Sequence, residues 1–447
     1  MKLWDKGFTV ENKIESYTVG KDRELDIHLA PYDVLGSLAH ATMLQSVGLI
    51  SEEELEQLKQ GLQGIYQQIE RGQFTIQDGV EDVHSQVELQ LTQQLGDAGK
   101  RVHTARSRND QVLVDLKMYL RAEVKELVGL VSGLFETLLQ AAEQHKDILI
   151  PGYTHLQAAM PSSFGLWFSA YAESLADDLR LLYAAYGIIN QNPLGSGAGY
   201  GSSLPINRTL TTELLGFDSM HVNVVNAQLS RGKTELSLAF AMAGISHTLS
   251  KLAMDVCLYN SQNFGFLTFP DELTTGSSIM PHKKNPDVFE LMRGKSNRQM
   301  ALPNEIMMLT ASMPSGYHRD FQLLKEILFP ALEELKNSLG ICSYMLQRAK
   351  VNPDAIRDDK YKYIYSVEEV NKKVMAGVPF RQAYKEVGAA INDGTYQPAL
   401  EVQHTHEGSI GNLRLDLIRQ KFRSVQQQFS FHKWEQALEK LLMAQNA

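Results

Sequence analysis

The chain has 447 residues, 43% of them hydrophobic and 21% charged, with a formal net charge of −9. That length buries a large core and leaves room for two or three domains. The acidic balance excludes a nucleic-acid binder, because no broad basic stripe is available to neutralise phosphates. No apolar run reaches the length of a bilayer, so no membrane partner is expected. Residues Met1 to Val10 lack the basic start and apolar stretch of a signal peptide. Cys257 and Cys342 are too few for a disulfide framework and read as reduced core residues. The expectation is a soluble, cytoplasmic protein.

Along the chain, helical periodicity recurs and strand signals are scarce. Helices are predicted at Val34–Val47, Glu52–Glu70 and Val83–Leu95, the second opened by a capping box of Ser51 and Glu54. From Gln111 to His145, Leu116, Leu120, Leu127, Val131, Leu134 and Leu138 keep helical spacing, and the run stops before Pro151. Further long patterns extend from Ser162 toward Ile189, and from Lys233 to about Phe264. Another starts near Asp287 and breaks at Pro303; the last runs from Phe321 through Pro330 toward Arg348. Such lengths exceed the globular mean of about 11–12 residues. Their apolar residues spread beyond one stripe, as inside a bundle or at a subunit interface. After Asn352 the helices shorten, broken by Pro353, Pro379, Gly394 and Gly408. The predicted fold is all-α, in three helical domains: residues 1–105, a central long five-helix bundle with active-site loops at 106–351, and 352–447.

Four clusters fall between these helices. Gly276–Pro286 reads Gly-Ser-Ser-Ile-Met-Pro-His-Lys-Lys-Asn-Pro: flexible hydroxyls, then a stiff Met-Pro step, then donors suited to a carboxylate. Paired donors behind a mobile hydroxyl suggest a lid rather than a solvated basic turn. Gly152–Pro161 lies between two prolines as a rigid turn carrying Thr154 and His155. A lone loop histidine is more often a surface residue than a catalyst. Thr104–Gln111 opens the first long helix with cap residues Ser107, Asn109 and Asp110. Its Arg106 and Arg108 oppose the helix dipole and point instead to an anion site. Gly316–Lys325 places Gln322 and Lys325 on one face of a helical turn. The glycine-rich stretch Gly195–Gly201 fits neither a dinucleotide fingerprint nor a P-loop and reads as a conformationally demanding loop. No metal-ligand pattern or nucleophile elbow is present.

Together the four clusters resemble the argininosuccinate lyase branch of the aspartase/fumarase superfamily, to which the delta-crystallins are related. The resemblance extends from Lys2-Leu-Trp4 to Pro379-Phe-Arg381. It implies β-elimination of argininosuccinate to arginine and fumarate, in arginine biosynthesis, with no metal or organic cofactor. It makes Ser277 the general base on the lid, Lys283 and Asn285 the stabilisers of the aci-carboxylate, and His155, oriented by Glu290, a proton donor to the leaving nitrogen. It gives Arg108, Asn109, Thr154, Tyr317, Gln322 and Lys325 to substrate binding. It also implies a homotetramer with active sites shared between subunits. The chain departs from the family pattern at Leu3–Phe8, at Asp22 where a serine is usual, at Ala105, at Ala159-Met160 and over Asn223–Lys233. Those departures leave two rivals: a fumarate-releasing lyase for another N-substituted succinate, and a catalytically silent crystallin-like protein.

Overall fold

Helices carry almost all of the regular structure in the computed structural model, which describes residues 11–398, 400–402 and 404–443. The departures at Leu3–Phe8 and the Met1–Val10 reading lie outside the described residues. α1 (Asn12–Val19) and α2 (Asp22–Asp26) lead into α3 (Ala30–Ser46), α4 (Glu52–Glu70), α5 (Val83–Leu95) and the short α6 (Asp97–Lys100). The Ser51 hydroxyl accepts from the Glu54 amide at 3.1 Å, and the Glu54 carboxylate accepts from the Ser51 amide at 2.8 Å. Two otherwise orphaned donors are thus satisfied at the start of α4. Asp82 caps α5 by accepting from the Ser85 amide at 2.8 Å.

The middle of the chain is built from α7 (Arg108–Gln144), the hairpin β1 (Leu149–Thr154) and β2 (Gln157–Ser163), and α8 (Phe164–Ile189). After β3 (Gln191–Asn192), α9 (Arg208–Leu214) and β4 (Ser219–Met220) comes the second long helix, α10 (Val224–Asn260). β5 (Leu267–Thr268), α11 (Asp287–Gln299), α12 (Leu302–Thr310) and α13 (Leu323–Leu346) complete the bundle. On α7, Leu120, Val124, Leu127, Val131, Leu134 and Leu138 are all fully buried. The i, i+3, i+4 spacing puts them on one face, which α8 and α13 cover. Each contributes about 1.5–3 kcal/mol by leaving water.

Two predicted helices differ in detail. α10 starts nine residues earlier than its periodicity suggests, because it is two helices across a kink at Arg231 and Gly232. Gly232 has φ of +80°, and a Cβ there would lie 2.7 Å from the Thr310 side chain, so only glycine fits. Glu235 caps the second half, accepting from the Gly232 amide at 2.7 Å and pairing with Arg231 at 2.9 Å. The fourth predicted helix is likewise two pieces, α11 and α12. Pro303 sits in the first turn of α12, where its missing N–H leaves no bond unmade. Pro330 lies inside α13, which continues past it.

β6 (Lys350–Val351) pairs with β5, and α14 (Ser366–Met375), α15 (Phe380–Asn392), α16 (Leu415–Gln426) and α17 (Phe431–Met443) follow. Val370, Ala383, Val387 and Tyr396 make a small core of their own around α14 and α15. α16 and α17 join the main core through Phe422, Trp434 and Leu438. Both cysteines are free thiols, Cys342 buried in α13 and Cys257 half-buried in α10. Among the described residues no helix is long and apolar enough to cross a membrane.

Candidate active site

One end of the bundle holds a cavity of about 280 Å³ at the starts of α7 and α13. Five of the predicted site residues line it: Arg108, Asn109, Tyr317, Gln322 and Lys325. Ser107 caps α7 and pairs reciprocally with Asp110, so the helix opens where the chain turns and Arg108 and Asn109 face the cavity. Asp110 points the other way. Its carboxylate accepts from the amides of Gly195 and Gly197, both at 2.9 Å. The glycine-rich loop is therefore a cradle for a helix-capping carboxylate. Its glycines at 195, 197, 199 and 201 all have positive φ.

The cavity is not a simple anion trap. Asp22, Asp26, Glu81 and Asp82 line it alongside Arg108, Arg231, Arg319 and Lys325. The Arg108 guanidinium reaches Glu81 at 3.1 Å and Asp82 at 3.3 Å. Lys325 is buried against Asp22, at 2.6 Å, and Asp26. Burial pushes the Asp22 carboxyl up to about 6, with Lys325 opposing and Asp26 reinforcing that rise. Burial disfavours the Lys325 ammonium, yet Asp26 and Asp22 hold its pKa above the ordinary value. The Gln322 amide donates to the carbonyls of Thr18 and Val19 at 3.1 and 2.8 Å, so α1 packs over it. Arg106 corrects the expected anion site in one respect. It is 8% exposed, donates to the Ser37 hydroxyl at 3.0 Å and lies behind the cavity wall, because it precedes the cap and faces α3.

Thr154 and His155 lie elsewhere. They occupy the tip of the β1–β2 hairpin, where Thr154 pairs with Gln157 and the two-residue turn is His155-Leu156. Both turn residues have positive φ, 53° and 59°. Left-handed backbone at non-glycine residues costs about 1–3 kcal/mol each and collects at functional positions. The tip is exposed, while Tyr153 at its base stacks near Phe264 and Phe266 and donates to the Tyr361 hydroxyl at 3.0 Å. β5 continues directly from Phe266, so the lid segment leaves the bundle at this same end.

The segment predicted as a lid is a loop closed at its base: Thr275 and Asn285 pair antiparallel, with the Asn285 amide donating at 2.9 Å. The half-buried Ser277 hydroxyl accepts from the amides of Ile279 and Met280 at 3.3 and 3.2 Å. Those donors favour an oxygen carrying negative charge. Lys283 is exposed and Asn285 half-buried, its amide folded back on the Gly276 carbonyl. Glu290 is exposed in the first turn of α11, and within one protomer it is not paired with His155.

The predicted residues thus form two groups. α7 runs from Arg108 at the cavity to Gln144 next to the hairpin, and its 37 residues span about 55 Å. No side chain bridges that distance. Sequence reasoning missed His84, Glu81, Asp82, Asp26, Arg231 and Arg319 on the cavity wall. A signal existed for three of them, since Glu81-Asp82-Val83-His84 packs charge and imidazole into a helix start.

A family model described as a lyase matches residues 8–300. Argininosuccinate lyase of Parabacteroides distasonis is 58% identical over 441 residues, covering 99% of each chain. That of Thermotoga neapolitana is 39% identical over 390 residues, 86% of this chain and 97% of the other. Among solved structures, a variant of EDDS lyase with bound fumarate superposes with a TM-score of 0.78 at 21% identity, over 98% of this chain and 95% of that one. Class II fumarase from Schistosoma mansoni gives 0.71 at 16% identity, over 96% and 95%. Those two likenesses show the all-α fold. With near-complete coverage by relatives at 57–58% identity, the chain is a lyase and belongs to the argininosuccinate lyase family.

Proposed function

We propose that the two separated groups of residues meet in a homotetramer and there cleave argininosuccinate to arginine and fumarate. The observation that carries the activity is the full-length identity to argininosuccinate lyases; the cavity's chemistry fits it. A substrate with three carboxylates, an ammonium and a guanidinium needs both signs of charge around it, and this cavity offers both.

Ser277 takes the Cβ proton, the Cα–Cβ double bond forms, and the electron pair of the Cα–N bond leaves with the guanidine nitrogen. Charge collects meanwhile on the adjacent carboxylate. Lys283 stabilises that charge; a lysine placed about 4 Å from it would contribute about 4 kcal/mol at an effective dielectric near 20. Asn285 adds a neutral donor. His155, paired across a subunit boundary with Glu290, supplies the proton to the leaving nitrogen. Arg108, Asn109, Thr154, Tyr317, Gln322 and Lys325 bind the carboxylates and the amino-acid end. The lid works by excluding water, since a serine is a weak base until desolvated among cations.

Two features support a shared site. One is the distance of about 55 Å along α7 between cavity and hairpin. The other is the apolar surface left on the long helices by Leu181, Leu229, Phe240, Met254, Leu291 and Met308, which association would cover. We place the enzyme in the cytoplasm, in arginine biosynthesis, and divide the chain into domains at about residues 105 and 351. Incubating the purified protein with argininosuccinate and following fumarate by its ultraviolet absorbance tests the reading. Fumarate release at a rate that scales with enzyme supports it, and none contradicts it.

A further inference from the structure

Behind the cavity wall lies a polar cluster with no role in the reaction just described. His84 (α5) lines the cavity, while its Nδ1 is 2.8 Å from Asp33 Oδ1 (α3) and 3.4 Å from Asp115 Oδ2 (α7). Gln111 donates to the same Asp33 oxygen at 2.6 Å. Both aspartates are completely buried. Asp33 Oδ2 and both oxygens of Asp115 have no hydrogen-bond donor. Two ionised carboxylates this deep, with three of their four oxygens unpartnered, are untenable, because an uncompensated buried charge neutralises itself by taking a proton or a cation.

We propose that Asp33 and Asp115 share one proton, and that this pair holds His84 as an imidazolium presenting Nε2–H to a substrate carboxylate in the cavity. Asp115 is the carboxylic acid and donates its O–H to Asp33 Oδ2. Asp33 is the carboxylate and accepts from His84 Nδ1 and Gln111. With Nδ1 occupied, the Nε2 edge of the ring is what remains for the cavity. Asp33 and Asp115 are positioning residues, since they act through His84.

The surrounding charges agree. Asp33 (α3), Asp82 at the start of α5 and Asp26 (α2) act on the imidazole with negative charge and Asp115 Oδ2 (α7) lies 3.4 Å from it, while the basic groups nearby are His103 and, on the same cavity wall, Arg108. Burial opposes the imidazolium, but the hydrogen bond and charge of Asp33 outweigh it and raise the His84 pKa. Burial, reinforced by the Asp33 charge, pushes the Asp115 carboxyl well up. A metal ion could also satisfy these oxygens, and the three ligand atoms lie within 4.8 Å of one another. The direct 2.8 Å contact between His84 and Asp33, with the Arg106 charge adjacent to both aspartates, favours a proton.

The substrate part of this proposal rests on the function proposed above; the proton does not, and the decisive measurements need no substrate. Infrared spectra of the full-length protein near neutral pH should show a protonated-carboxyl C=O band that Asp115→Asn removes. Asparagine can donate to Asp33 as the acid does, so Asp115→Asn should keep the His84 titration, followed by NMR of labelled histidine, within about half a pH unit. Asp33→Asn should lower it by about one unit or more. In the enzyme assay, Asp33→Asn should then lose the imidazolium as pH rises through that lowered value. The alkaline limb of kcat/KM moves down equally, mainly through KM, and acidification recovers about tenfold. Absence of the carboxyl band, an equal collapse of the His84 titration in both variants, or a stoichiometric metal ion that chelator removes would each overturn the proposal. If Asp33→Asn does not fold, the band and the Asp115→Asn titration decide alone. A substrate other than argininosuccinate would leave both unchanged.

Discussion

Replacing Lys325 with methionine takes one charge out of a nearly closed set. Lys325 is 4% exposed, and its ammonium bridges Asp22 at 2.6 Å and Asp26. Methionine fills similar volume, so the cavity term is small, and two carboxylates are left facing each other without the cation that bridges them. Breaking a buried ion pair from one side costs about 3–5 kcal/mol. The sign of its pH dependence is fixed. Burial already raises Asp22 to about 6 with Lys325 present and opposing, so removing the lysine raises it further. An acid whose pKa is higher folded than unfolded binds protons on folding. Its stabilisation is complete below the unfolded value and is lost as pH rises through the folded one. In the wild type that window runs from about 4 to about 6; in Lys325→Met its upper edge moves higher. The variant should therefore show the full deficit near pH ~8 and less than half of it near pH ~5. Urea midpoints read by circular dichroism at the two pH values, against wild type, measure this. An equal deficit at both would mean that lost packing, which does not track protonation, sets the cost rather than the unpaired carboxylates.

Ser277→Ala should lower turnover by about 10²–10⁴-fold, the usual share of a general base, without moving the melting temperature, since Ser277 sits on a half-buried loop; a rate near wild type would mean the base lies elsewhere. Asp110→Asn replaces an oxygen that accepts from Gly195 and Gly197 with an amide that confronts them whichever way it flips, because the other oxygen accepts from Ser107. A loss of about 2–4 kcal/mol in denaturation is expected, and a loss below about 0.5 would contradict the cradle assignment.

The long helices were legible because their cores repeat every three to four residues: Leu120 through Leu138 on α7 are the buried positions the spacing marks. Capping chemistry marked the start of α4 through Ser51, and for α7 it offered Ser107, Asn109 and Asp110, of which Ser107 is the cap. The kink at Gly232 was hidden, because what excludes a side chain there is Thr310, a contact remote in sequence. The β1–β2 hairpin was read only as a rigid turn, since His155-Leu156 is far from the Asn-Gly expected of such a loop. For the site, motifs located Arg108, Asn109, Tyr317, Gln322 and Lys325 on one cavity. They were silent on His84 and on the carboxylates around it, whose significance comes from three helices converging. They also gave no hint that Arg106 turns inward while Arg108, two residues on, turns to the cavity.

On the proposed reading, a working site needs residues from more than one copy of this chain. Arg108→Gln disables the cavity group and Ser277→Ala disables the lid group, so each homogeneous variant should be nearly inactive. Dissociating the two, mixing them in equal amounts and letting them reassociate gives hybrids in which about one quarter of sites combine an intact cavity with an intact lid. Fumarate release near a quarter of the wild-type rate is the predicted result. A mixture no more active than the separate variants, with hybrid assembly verified by mass, would mean that the cavity and the loop of Ser277 do not combine across subunits.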